Sequence, residues 1–110
     1  TSEIYMLEKL ELIATELEDR LKRSKIMGKT VTLKIKYSDF SLHTRSRTVQ
    51  NFFNDKSSLS TIVKELLYQE KLQDSVRLLG ISLTNLDTNL KDKEAVFDIQ
   101  LKFLYQRYNC

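Results

Sequence analysis

Apolar residues recur at helical spacing near the start of the chain. Leu7, Leu10, Ile13, Ala14, Leu17 and Leu21 fall at three- and four-residue steps, which predicts an amphipathic helix over residues 3–23. Acids dominate its first turns, and Arg20, Lys22, Arg23 and Lys25 crowd its end, an order that complements the helix dipole. Ser2 is placed to cap this helix and Gly28 to let the chain leave it. From Lys29 the period drops to two: Val31, Leu33, Ile35 and Tyr37 alternate with Thr32, Lys34 and Lys36, the signature of a half-buried strand with one basic face. Tyr37 to Ser41 holds turn formers and Leu42 to Val49 is polar and β-tolerant, so the segment reads as a hairpin. On its second strand Arg45 and Arg47 share one parity and Thr44, Ser46 and Thr48 the other; a bulge near the turn would decide which set faces out.

Asn51 to Ser58 reads as a polar connection, with Phe52 and Phe53 tucked onto the core. Leu59, Ile62, Val63, Leu66 and Leu67 then give a second helical stripe, with Ser57 or Ser58 as cap and Lys71 near the exit. Ser75 to Leu86 returns to period two, with Leu79, Ile81 and Leu83 on one parity. Asp87 to Lys93 is a charged loop, and Phe97, Ile99, Leu101 and Phe103 suggest a last strand or extended tail. The order α-β-β-α-β-β predicts an α+β fold: an antiparallel, four-stranded-type sheet with both helices on one face and the other face open. Residues 1–110 form a single domain in this reading, with 87–110 a C-terminal loop and strand or tail.

Charge changes the picture of that open face. Residues 1–19 carry one base against six acids, residues 20–56 ten bases against two acids, and residues 57–110 seven of each. A basic block of this kind is either an electrostatic footprint for a polyanion or an ordinary solvated surface, depending on whether folding gathers it on one side. Lys34 and Lys36, ~6.6 Å apart along a strand, could each meet a separate anionic group.

Candidate chemistry is sparse. His43 stands alone with no signature tying it to a nucleophile, and Cys110 is the single cysteine, read as a terminal thiol. Two glycines, Gly28 and Gly80, cannot build a phosphate loop. Asp87, Asp92, Glu94 and Asp98 are interleaved with Lys91 and Lys93, which suits a solvated loop better than a cation site. Apolar runs of a few residues fall far short of the ~18 that span a bilayer. With neither a signal-like start nor a cysteine pair, a reducing, cytoplasmic compartment is the expectation. These residues predict a binding module with no catalytic residues of its own.

Three blocks give that module a family. Residues 28–40 (GKTVTLKIKYSDF), 44–48 (TRSRT) and 76–86 (VRLLGISLTNL) resemble, in order and spacing, the little-finger domain of Y-family translesion DNA polymerases. With the intervening helices the resemblance covers roughly residues 3–86. It implies a domain that holds duplex primer–template DNA, inside a longer DNA-directed polymerase whose catalytic carboxylates and magnesium belong to a palm domain; no cofactor is implied for this segment. It further implies DNA contact at Lys34, Lys36, Arg45, Ser46, Arg47, Thr48, Arg77, Ser82 and Thr84. The family's first strand, which precedes the first helix, is missing here. One sheet edge is then left to the C-terminal segment or to a second copy.

Family members commonly end in a glutamine followed by hydrophobic residues that insert into a sliding clamp. Gln100, Leu101, Phe103 and Leu104 are similar to that peptide, although Leu101 and Phe103 equally fit the buried face of a strand. The leading expectation is sequence-independent binding of duplex DNA through phosphates. The alternative is a protein-interaction module that recruits a clamp or a second copy through the sheet edge or the tail. Single-stranded RNA recognition on the sheet is disfavoured, because the exposed parities carry Lys, Thr and Ser and not paired aromatics.

Overall fold

The computed structural model describes residues 3–70, 75–87 and 97–102, the last by backbone alone. Its elements are α1 (Glu3–Ser24), β1 (Gly28–Tyr37), β2 (Leu42–Phe53), α2 (Lys56–Glu70), β3 (Val76–Thr84) and β4 (Phe97–Lys102), the α+β order that the patterning predicts. The sheet is antiparallel in the order β2-β1-β3-β4. Both helices lie on one face. Met6, Leu10, Ile13, Ala14, Leu17 and Leu21 from α1 and Leu59, Ile62, Val63, Leu66 and Leu67 from α2 close over Val31, Leu33, Ile35 and Tyr37 of β1 and Val76, Leu79, Ile81 and Leu83 of β3. Each fully buried aliphatic side chain contributes roughly 1.5–3 kcal/mol relative to exposure. Because β1 lies between β2 and β3, its alternation fixes the facing of both neighbours.

Several local expectations change. Lys25, not Gly28, takes the left-handed position after α1, at φ 56°. Ile26 N–H donates to Leu21 C=O at 3.0 Å and Lys25 N–H to Lys22 C=O at 3.2 Å, the paired bonds of a Schellman ending. Gly28 is needed for space instead: a Cβ there would lie 2.6 Å from Leu83 Cγ and 2.9 Å from the Thr84 carbonyl oxygen. The cap of α2 is Asp55, whose Oδ2 accepts from Ser58 N–H at 2.9 Å and from the Ser58 hydroxyl at 3.0 Å. Lys56 N–H, another orphan donor of that first turn, reaches Glu18 of α1 at 2.7 Å.

Strand β2 runs past Val49 to Phe53, so the connection shrinks to residues 54–55. Phe53 packs against the core as expected, whereas Phe52 is exposed beneath the Lys29 ammonium, 4.5 Å from its ring centroid. At the far edge, β4 pairs with β3, so among the described residues the C-terminal segment supplies β3's second neighbour. Ser2, Lys71, Asp92, Glu94, Phe103, Leu104 and Cys110 lie outside the described residues.

Candidate nucleic-acid interface

Register builds the open face row by row. Lys36 stands opposite Leu42 on one side and Leu78 on the other, Lys34 opposite Thr44 and Gly80, Thr32 opposite Ser46 and Ser82, and Thr30 opposite Thr48 and Thr84. All alternate with the buried residues of β1 and so face away from the helices. No acid occurs in these rows across β1, β2 and β3. On β4 the backbone register places Lys102, Gln100 and Asp98 beside Leu78, Gly80 and Ser82.

Hydroxyl pairs hold the rows together. Thr30 Oγ1 and Thr48 Oγ1 are 2.8 Å apart, Thr32 Oγ1 and Ser46 Oγ 2.9 Å, and Asn85 Nδ2 donates to Thr30 Oγ1 at 2.6 Å. Cross-strand pairs of this kind steady a sheet surface. Each hydroxyl keeps spare acceptor or donor capacity toward an incoming ligand.

The expected cations do not all share this face. The pairing from Lys36–Leu42 to Thr30–Thr48 is regular, and the irregularity of the β1–β2 pair falls between Gly28 and Thr30, away from the turn. No bulge near the turn re-aims the second strand, so His43, Arg45 and Arg47 keep the parity that looks toward α2. Arg45 Nε donates to Glu70 Oε1 at 2.8 Å, His43 Nδ1 lies 2.7 Å from Glu70 Oε2, and the Tyr37 hydroxyl donates to the same oxygen at 2.8 Å. Arg47 is paired with Glu65. Of the expected DNA contacts, Lys34, Lys36, Ser46, Thr48, Ser82 and Thr84 come together, while Arg45 and Arg47 stand on the opposite side of the sheet.

Glu70 has a side chain 3 % exposed. Burial alone pushes its carboxyl up, but hydrogen bonds from Arg45, Tyr37 and His43 outweigh that and hold it below the ordinary glutamate range. Glu70 leaves one local signal in the sequence: it lies four residues after Leu66 and three after Leu67, an acid on the apolar stripe of α2.

Arg77 occupies a distinct place. Pairing passes from Lys36–Leu78 to Tyr37–Val76, which leaves Arg77 as the additional residue between them. Its guanidinium carbon lies 4.3 Å from the ring centroid of Phe40, and Lys36 Nζ lies 5.7 Å from the same centroid. Phe40 ends the hairpin loop: Phe40 N–H donates to Tyr37 C=O and Tyr37 N–H to Ser41 C=O, each at 2.9 Å. Its φ of 71° is where such loops ordinarily carry glycine, and a side chain there costs on the order of 1 kcal/mol. Asp39 steadies the loop by accepting from Ser41 N–H at 2.9 Å and the Ser41 hydroxyl at 2.6 Å.

Fold and surface together define an open-faced α+β sandwich, with helices on one side and cationic, hydroxyl-bearing rows on the other. The family model described as the impB/mucB/samB family C-terminal domain matches residues 1–96. DNA polymerase IV of Clostridium perfringens is 38 % identical over 90 residues, 81 % of this chain and 25 % of that protein. DNA polymerase IV of Listeria monocytogenes serotype 4a is 39 % identical over 80 residues, 72 % of this chain and 22 % of that protein, and the Listeria innocua enzyme matches to the same extent. The chain therefore spans about a quarter of the length of these curated relatives. It belongs to the impB/mucB/samB C-terminal domain family, a family of Y-family DNA polymerases. Among the described residues, no three His, Cys, Asp or Glu side chains gather as a metal site, and no helix is long and apolar enough to cross a membrane.

Proposed function

We propose that the open sheet face binds duplex DNA without regard to sequence, as the little-finger domain of a translesion polymerase. The observation that carries this reading is the acid-free set of rows on β1, β2 and β3, in which Lys34 and Lys36 are flanked by five threonines and two serines. Lysines and hydroxyls suit phosphate oxygens, and phosphate contacts position a duplex without reading it. A polymerase that copies damaged templates needs that indifference. In the intact enzyme the chemistry and its magnesium belong to another domain, and this one keeps the primer–template in place. The clamp-binding reading of residues 100–104 is less favoured, because Gln100 and Leu101 are already in register with Gly80 and Leu79 of β3. Among the described strands β2 and β4 are the sheet's edges, and a second copy would pair at such an edge.

The test is fluorescence anisotropy of a labelled blunt duplex across a salt series. For Z neutralised phosphates, log K falls with log salt at a slope near −0.9Z. Lys34→Glu with Lys36→Glu should make that slope shallower by about 2, whereas Arg47→Ala, on the other side, should leave it unchanged. Salt-independent binding, or a slope that follows Arg47 and ignores the two lysines, overturns the proposal.

A further inference from the structure

The hairpin tip carries an aromatic side chain, Phe40, that duplex binding does not use. Phe40 is 60 % exposed, so core packing does not account for an aromatic at a left-handed position where glycine would be unstrained. Two cations from different strands, Arg77 of β3 and Lys36 of β1, converge on its ring, and Leu42, 53 % exposed, follows two residues on at the end of the sheet rows. A ring 60 % exposed, with the Arg77 guanidinium over it and Lys36 further out, joins an aromatic and cations beside a phosphate-binding surface, the chemistry of a stacking platform for a nucleobase. Bases inside a duplex are already stacked on one another and offer no free face. We infer that Phe40 stacks against an unpaired base of single-stranded DNA beside the duplex, with Lys36 and Arg77 meeting the flanking phosphates. This inference deepens the duplex-binding reading and takes its setting from it, yet it rests on a different residue and a different strand state of the ligand.

The chain contains no tryptophan, so Phe40→Trp installs a single reporter at the tip. Its emission should be quenched by an oligothymidine strand and not by an abasic phosphodiester strand of equal length and charge. In parallel, Phe40→Gly, which suits the positive φ, should weaken oligothymidine binding about fivefold or more while leaving affinity for the blunt duplex within about twofold. Emission unmoved by oligothymidine, or quenched equally by the abasic strand, overturns the inference. So does equal weakening of duplex and single strand by Phe40→Gly, which would make Phe40 a residue that merely shapes the hairpin. Duplex binding through Lys34 and Lys36 in the wild-type chain, with no base-dependent quenching in Phe40→Trp, leaves the duplex reading standing and removes this one. Base-dependent quenching without duplex binding does the reverse.

Discussion

Replacing Glu70 by alanine probes the joint between β2 and α2 most directly. The carboxylate is almost wholly buried and receives Tyr37 Oη at 2.8 Å, His43 Nδ1 at 2.7 Å and Arg45 Nε at 2.8 Å. Removing one partner from a fully buried ion pair can cost ~3–5 kcal/mol, but the Arg45 and His43 side chains are 40 % and 42 % exposed and can rehydrate. The Tyr37 bond to a charged acceptor is not discounted in that way, since Tyr37 is buried. Together with the lost methylene packing this gives a destabilisation of about 2–3 kcal/mol, against a total of ~5–15 for a domain of this size. At a urea m-value of about 1.5 kcal/mol/M, the midpoint should fall by ~1.5 M in urea unfolding followed by circular dichroism. The pH dependence has a definite sign. Glu70 titrates lower in the folded chain than in the unfolded one, so its contribution is complete above the unfolded value near ~4.3 and is lost as pH falls through the native value. The stability gap between wild type and Glu70→Ala should be flat around neutrality and narrow below about pH 4. A neutral-pH loss under ~0.5 kcal/mol, or a gap that widens on acidification, would refute the reasoning.

Two further substitutions test the backbone account. Lys25→Gly removes a side chain from a left-handed helix ending and should raise stability by ~0.5–1 kcal/mol; a lowered urea midpoint would count against the Schellman assignment. Gly28→Ala drives a Cβ against Leu83 and the Thr84 carbonyl, and the strain should exceed the gain from a stiffer unfolded chain, for a net loss of about 1–2 kcal/mol in thermal or urea unfolding.

The elements with a strong period were legible in the sequence. Leu10, Ile13, Leu17 and Leu21, then Val31, Leu33 and Ile35, then Leu79, Ile81 and Leu83 announce helix, strand and strand because burial on one face imposes its repeat on the residue types. The second hairpin strand was harder to read. β2 lies at the sheet margin and overhangs α2, so its inward positions are filled by His43, Arg45 and Arg47 and lose the apolar signal that marks an inside. Family blocks placed Arg45 and Arg47 among the DNA contacts, while their acidic partners sit on α2, 25 and 18 residues away in sequence. Such distant partners leave no local spacing to read. Phe40 was missed for a related reason: turn formers on either side identify the loop, but only the backbone shows that the aromatic itself takes the left-handed position.

The charge block in residues 20–56 looked like ten bases available to a polyanion, and the fold sorts them. Arg20, Lys22 and Arg23 are drawn to Glu16, Glu18 and Asp19 one helical turn earlier. Lys56 bridges to Glu11 of α1, Arg45 to Glu70 and Arg47 to Glu65. Among the described residues, the four that remain without an ion pair are Lys25, Lys29, Lys34 and Lys36, and three of these belong to β1. Apart from the pair on the buried Glu70, these exposed ion pairs stabilise little, so their consequence is more electrostatic than structural: each acid cancels a cation that would otherwise compete with the sheet for DNA. The acids on the helices thus help define the interface without touching it. They leave β1 as the strand whose positive charge is not already answered, and the open sheet face inherits its polarity from that subtraction.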